Sequence, residues 1–162
     1  MNVSELMTTP VKTCANDDNL QRAAQIMWEG DCGAVPVVHG EGHLVGMITD
    51  RDICMAAYTR GLALWQIPVS EAMSKQVHSV RTKDRVEQAE AVMKSARVRR
   101  VPVLDGEGRL AGILSMNDLA RQARHDVGSA HKANDLSADS ISQTLAVICE
   151  PRASNGAHQL AR

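Results

Sequence analysis

Phenylalanine is absent from this 162-residue sequence, and its only aromatic residues are Trp28, Tyr58 and Trp65. Proteins that grip single-stranded nucleic acid stack its bases on aromatic platforms, and this chain has almost none. A basic excess is missing too: 18 Lys and Arg stand against 19 Asp and Glu, a formal net charge of -1. Phosphate backbones are held by clustered positive charge, so no nucleic-acid partner is expected. No run approaches the roughly 18 apolar residues of a membrane span. Residues 1–20 lack the basic start and apolar stretch of a secretion signal. The expectation is a cytoplasmic protein without membrane association. Cys14, Cys32, Cys54 and Cys149 are far apart, with no C-x-x-C. They are expected to be reduced, and neither they nor the histidines follow a zinc template, so no metal site is expected. Nucleophile elbow, P-loop, zincin motif and catalytic carboxylate pair are all missing. The expectation is therefore not an enzyme.

What the chain does have is a repeat at a constant offset of 66 residues. Val3-Ser4-Glu5-Leu6-Met7 returns as Val69-Ser70-Glu71-Ala72-Met73, and Val35-Pro36-Val37 as Val101-Pro102-Val103. Gly40-Glu41-Gly42 returns as Gly106-Glu107-Gly108, Leu44-x-Gly46 as Leu110-x-Gly112, and Thr49-x-x-Asp52 as Ser115-x-x-Asp118. Roughly a third of positions 3–54 match their partners without a gap, more than chance allows. Two copies of one unit can pack about a pseudo-two-fold axis with two similar clefts between them. Hydrophobic residues make up 44% of the chain, enough for a shared core built from aliphatic residues and Met.

Each copy reads as β-α-β-β-α. A turn of helix at 4–7 leads to an extended segment at 11–14. A helix is predicted over 19–29, with Asp17-Asp18 as its N-cap, a buried stripe of Leu20, Ala23, Ala24 and Met27, and Gly30 at its C-terminus. Strands at 34–39 and 43–49 form a hairpin about the glycine turn, and a helix over 50–60 stops at Gly61. The copy places an extended segment at 77–80, a helix at 86–96, strands at 99–104 and 109–115, and a helix at 116–124. Met7, Met27, Met73 and Met93 recur by repeat and read as core filler. The expected organisation is a first repeat at 1–61, a linker at 62–68, a second repeat at 69–124 and a loose linker at 125–139. An amphipathic helix follows at 140–151 and a disordered tail at 152–162. Ile141, Leu145 and Ile148 would leave an apolar stripe in water if that helix floated free. It is therefore expected to dock, with Leu145 in mid-stripe as its most sensitive position.

In combination these motifs resemble the cystathionine-β-synthase (CBS) domain family in its tandem-pair form, over residues 3–124. The resemblance implies an α/β (α+β) fold of two β-α-β-β-α repeats about a pseudo-two-fold axis, followed here by a C-terminal helix. It implies adenosine-containing ligands (AMP, ADP, ATP, S-adenosylmethionine or NAD-type dinucleotides) in the clefts, none of them obligatory. It also implies a regulatory action on an unidentified partner protein, and a homodimer. In such pairs the Asp of [T/S]-x-x-D takes the ribose hydroxyls and the Thr or Ser lies near phosphate. Those positions here are Thr49 and Asp52, and Ser115 and Asp118. A carboxylate suits a cis-diol, and a hydroxyl with free N–H groups at a helix start suits an anionic oxygen. The same four residues also spell a capping box, which needs no ligand.

A basic residue before the V-P-V strand can meet phosphate in this family. Arg100 fits best and Arg99 next, since guanidinium forks match phosphate oxygens; a solvated basic edge is the alternative reading. The first copy carries the uncharged Cys32-Gly33-Ala34 there and Asp50 beside Asp52, so its charge would have to come from Arg51. One dominant site is therefore expected at Ser115, Asp118, Arg99 and Arg100, with Pro102 in the cleft floor. Val35, Val101 and the segments 11–14 or 77–80 would wall the adenine. His39 and His43 flank a turn, and His78 has no partner pattern. The dimer face is expected at Ile53, Ala56, Ala57, Leu119 and Ala123. Against ligand sensing stands a ligand-free CBS scaffold for dimerisation, which the uncharged Cys32-Gly33-Ala34 favours. A cysteine-based metal or redox sensor and nucleic-acid binding through the Arg97–Arg100 edge are weaker still.

Overall fold

Short aliphatic runs punctuated by glycine turns build each half from the same elements. In the computed structural model, which describes residues 1–126 and 136–151, the first half comprises β1 (Cys14–Ala15), α1 (Leu20–Glu29), β2 (Ala34–His39), β3 (His43–Thr49) and α2 (Asp50–Arg60). After the short helix α3 (Val69–Ala72), the second half runs β4 (Val80–Arg81), α4 (Val86–Ala96), β5 (Arg100–Leu104), β6 (Leu110–Ser115) and α5 (Met116–Asp126). Helix α6 (Ala138–Cys149) follows. Each half holds a three-stranded sheet in which a short first strand runs parallel to the second and the third returns antiparallel. This is the mixed α/β repeat pair expected from the sequence.

Several local expectations shift. The N-cap of α1 is Asn19, whose Oδ1 accepts the Arg22 N–H at 3.0 Å. Asp18 is occupied elsewhere, accepting the Ala15 N–H at 2.7 Å. The buried stripe of α1 is Leu20, Ala23, Ile26 and Met27, with Ala24 only half-buried. The extended segments at 11–14 and 77–80 pair only at their ends, as β1 and β4. Helix α5 runs two residues past 124, and Leu136, in the expected loose linker, is buried in the second core. The rest of that linker, 127–135, and the expected disordered tail at 152–162 lie outside the described residues. Gly61 ends α2 in the left-handed conformation, φ 62°, which glycine adopts without a Cβ penalty.

The two halves exchange their leading segments. Val3 N–H donates to Asp84 C=O and Val69 N–H to Asp18 C=O, both at 2.8 Å. Thr8 bridges to Ile113 as Ser74 bridges to Met47, and Asn2 to Arg85 as Pro68 to Asn19. Adding 66 to the first-repeat member of each pair and subtracting 66 from the second-repeat member gives its counterpart, so the contacts obey a two-fold relation. His43 pairs with Arg109, its own repeat equivalent, and therefore sits beside the axis. Val3 lies in the core of the second half with Val86, Met93, Leu114 and Leu119, while Val69 and Ile67 lie in the core of the first with Leu20, Val37 and Ile48. Neither core closes without the other half's leader, which ties the repeats into one folding unit. Met27 and Met93 fill these cores as expected. Met7 and Met73 are half-buried and pack against the cores of the opposite halves, over Gly112 and Gly46 of their hairpins.

Helix α6 packs on α4 and α5 of its own chain. Ser137 caps it, accepting the Ser140 N–H at 3.0 Å. Ile141 is 5% exposed and Thr144 is buried, whereas Leu145 is 36% exposed. The docking expected from the stripe occurs, but the helix is rolled so that Ile141, not Leu145, is its central anchor. Buried Glu90 accepts hydrogen bonds from Ser140 Oγ at 2.7 Å and Thr144 Oγ1 at 2.8 Å. Arg97 pairs with Glu150 at 2.6 Å at the far end.

Candidate ligand cleft between the repeats

The end of β3 and the start of α2 place Thr49 and Asp52. Thr49 Oγ1 accepts the Asp52 N–H at 3.2 Å, and the Thr49 N–H donates to Asp52 Oδ2 at 2.9 Å. Thr49 Oγ1 also donates to Oδ2, at 2.7 Å. The capping box expected from the sequence is thus formed. It consumes only one carboxylate oxygen: Oδ1 of Asp52 has no donor among the described residues.

The end of β6 and the start of α5 repeat this arrangement. Ser115 N–H and Oγ donate to Asp118 Oδ2 at 2.8 and 2.6 Å. Here Oδ1 is taken by Arg121, one turn along α5. The position equivalent to Arg121 in the first repeat is Met55, which has no charge to offer. Asp118 is 4% exposed, while Asp52 is only half-buried.

Thr49 and Asp52 line a cavity of about 250 Å³ together with Arg99, Arg100 and Pro102. Its first-repeat side is completed by Ala34 and Met47, and the segment after α3 contributes Ser74, Gln76, Val77 and His78. The basic approach to the second V-P-V strand therefore meets the acid and hydroxyl of the first repeat. This corrects the grouping expected from the sequence: Ser115 and Asp118 do not line this cavity. The cause is the pseudo-two-fold packing, which sets the [T/S]-x-x-D of one repeat against the strand start of the other. Sequence order had suggested the nearer partner.

Other candidates separate. Arg51 is exposed and absent from the cavity wall. Val101 and Val35 belong to the two cores and cannot wall an adenine, because strand alternation turns them inward. Val77, from a segment expected to do so, does line the cleft, beside Val98. His78 lies in that same segment, though no pattern in the sequence singled it out; Ser74 and Gln76 were missed, since only the exchange of leading segments brings them to this wall. The expected dimer face also splits. Leu119 and Ala123 are buried in the second core with Ile141, and Ile53 is buried in the first with Ala56 packed against it; Ile53 and Ala57 also floor an open groove on the first repeat.

The CBS domain pattern matches residues 3–58 and 69–125. The chain belongs to the CBS-domain family. Its CBS repeats are 38% identical over 130 residues to the CBS domain-containing protein YhcV of Bacillus subtilis (strain 168), covering 79% of this chain and 91% of that one. The crystal structure of Hypoxic Response Protein I with two coordinated zinc ions superposes with a TM-score of 0.69 at 33% identity, covering 75% of this chain and 98% of that one. The CBS domain pair of MJ0100, solved with 5'-methylthioadenosine and S-adenosyl-L-methionine, gives 0.67 at 26% identity over the same shares. Among the described residues of this CBS pair, no three His, Cys, Asp or Glu side chains gather where they could hold a metal ion. No helix among them is long and apolar enough to cross a membrane.

Proposed function

We propose that this CBS pair is a regulatory module, without catalysis of its own, that binds an adenine nucleotide in the cleft between Thr49–Asp52 and Arg99–Arg100 and acts on a partner protein as a homodimer. One observation carries the reading. Among the described residues, Asp52 keeps a carboxylate oxygen without a donor, and it lines a cavity that Arg99 and Arg100 also line. An acceptor for a ribose diol and donors for phosphate thus share one wall, with aliphatic Val77, Val98 and Met47 available for the base. The N-terminus of α2 adds a further anion-binding element. A ligand pair of methylthioadenosine and S-adenosylmethionine in a relative supports an adenosyl ligand. The charge here favours a phosphorylated one, because a sulfonium would sit against Arg99 and Arg100. The second cleft, where Arg121 occupies Asp118, is the weaker site.

Calorimetric titration with AMP, ADP, ATP, NADH and S-adenosylmethionine tests this. The expected result is binding of one or more of the phosphorylated ligands, abolished or strongly weakened in Asp52→Ala and Arg100→Ala. No binding by any of the five would leave the capping box as the sole role of Thr49 and Asp52, and would favour the dimerisation scaffold.

A further inference from the structure

The arginines of the cleft stand on a turn that α6 reaches. Helix α4 ends at Ala96, and the chain passes through Arg97 and Val98 into Arg99 and then Arg100, the first residue of β5. Among the described residues neither Arg99 nor Arg100 has an ion-pair partner. Long side chains without a partner are placed by the backbone that carries them, here the turn at 97–98. Arg97 holds the left-handed conformation, φ 54°, and the Val98 N–H donates across the turn to Met93 C=O at 3.0 Å. That conformation is costly for a residue other than glycine, asparagine or aspartate, and persists where surrounding contacts hold it. Asp31 shapes the equivalent turn of the first repeat, φ 45°, with a side chain suited to it, and leads into uncharged Cys32-Gly33-Ala34. The turn that presents charge is the one built on a residue that does not favour it.

What holds that turn comes from α6. Arg97 Nη2 donates to Glu150 Oε2 at 2.6 Å, and Glu150 is the residue that follows the helix. Pro151 confines the Glu150 backbone to the extended region, where it lies at φ -54°, ψ 134°. The position of its carboxylate therefore follows from the seat of α6. That seat is the second core: Ile141 is buried in it, Ile148 packs against it, and Thr144 donates to buried Glu90. Val98 packs against the same core and also lines the cleft with Arg99 and Arg100. Cleft, turn and helix are thus contiguous. We propose that Arg97 and Glu150 are positioning residues for the cleft: docked α6 clamps the 97–98 turn and so sets Arg99 and Arg100 for a phosphate group. Such coupling is reciprocal, so an anion on those arginines also tightens α6. Occupancy of the cleft is then read at the helical face of the second repeat. The proposal rests on the reading above for its nucleotide, but the clamp itself needs only phosphate.

The test uses the full chain, with ATP and inorganic pyrophosphate as probes; pyrophosphate needs the arginines but no ribose or adenine site. Glu150→Gln and Glu150→Lys both make the protein more positive, so charge alone would strengthen the binding of either anion. The clamp predicts the opposite sign. In titration calorimetry Glu150→Gln is expected to weaken binding by about two- to five-fold, the range of a partly exposed ion pair, and Glu150→Lys by at least as much. The Glu150 side chain is 56% exposed, so far-ultraviolet circular dichroism is expected to stay unchanged. In the ligand-free chain, amide hydrogen exchange at Val98 is expected to quicken in Glu150→Gln. In the wild type, either probe is expected to slow exchange along α6. Pyrophosphate binding without ATP binding would sink the nucleotide reading and leave the clamp standing. Unchanged or tighter binding in the Glu150 variants, Val98 exchange indifferent to Glu150, α6 exchange indifferent to a bound probe, or no binding of either anion would each overturn the proposal.

Discussion

Among the described residues, Asp52 of the first repeat keeps an oxygen free and the helical face lies open; in the second, Arg121 holds Asp118 and α6 covers the face. The backbone plan is common to both, down to the reciprocal hydrogen bonds of the exchanged leaders. What separates them is a few substitutions at equivalent positions: Met55 against Arg121, Ala24 against Glu90, Asp31 against Arg97 and Trp28 against Lys94. Duplication supplies the fold twice, and single side chains then set the two halves apart. The first half has its acid and hydroxyl on the cleft wall and its apolar helical face exposed. The second contributes its arginines to the first half's cleft and is otherwise closed.

The largest expected effect falls on the closure of the second repeat. Ile141 is nearly fully buried between α6 and the second core, so Ile141→Ala is expected to cost about 2–5 kcal/mol in urea unfolding. Leu145→Ala, at the edge of the same helix, is expected to stay within about 1 kcal/mol. If the two substitutions cost the same, the contrast between a sealed second repeat and an open first one is drawn through the wrong residue.

The clefts come next. Asp52→Ala is expected to weaken nucleotide binding by about 1.5–3 kcal/mol, the worth of hydrogen bonds to a charged group. Asp118→Ala is expected to leave affinity unchanged and to lower the melting temperature, since that carboxylate caps α5 and pairs with Arg121. Titration calorimetry on both variants reads the difference. Equal losses would mean that both clefts bind.

A smaller contrast comes from Cys14, whose repeat equivalent is Val80. Burial, reinforced by the charge of Asp18, pushes the Cys14 thiol up to about 11 from 9.0. The folded state therefore favours the neutral thiol. Its stabilisation is complete below pH 9 and is lost as pH rises towards 11, because the unfolded thiol gives up its proton first. The loss expected over that window is about 2 kcal/mol. Cys14→Val, the second repeat's own choice, is expected to remove this part of the alkaline slope in denaturant titrations at pH 8, 9, 10 and 11.

The repeat, its five elements and both [T/S]-x-x-D boxes were legible in the sequence because periodicity, glycine turns and capping chemistry are local. The cross-pairing was not. Arg100 is 15 residues from Ser115 and 51 from Thr49, and nothing local says that the distant partner shares its cleft. The exchange of leaders was equally hidden, since Val3 and Val69 read the same whichever half they enter. The roll of α6 escaped for a related reason: Glu90, deep on α4, selects Ser140 and Thr144, and a polar anchor is invisible to an apolar stripe. Conversely, the capping box that the sequence spelled is formed through one oxygen of Asp52, which leaves the ligand reading compatible with it.

The smallest expected effect tests what the repeats share. Gly46 and Gly112 each receive a methionine from the opposite leader. A Cβ at Gly46 would overlap the Met73 thioether and lie 3.1 Å from Ser74 C=O; at Gly112 it would overlap Met7 and lie 3.2 Å from Thr8 C=O. Overpacking typically costs about 1–3 kcal/mol. Alanine also restricts the unfolded chain, which returns about 0.4–1 kcal/mol. Each Gly→Ala is therefore expected to destabilise by about 1 kcal/mol net, and the two by nearly the same amount. The exchange makes a sharper claim about pairing. In double-mutant cycles, Gly46→Ala is expected to couple to Met73→Ala and not to Met7→Ala, while Gly112→Ala couples to Met7→Ala alone. Coupling of Gly46 to Met7 instead would place each leader on its own repeat. The two-fold exchange, and with it the cleft that joins Asp52 to Arg100, would then have to be redrawn.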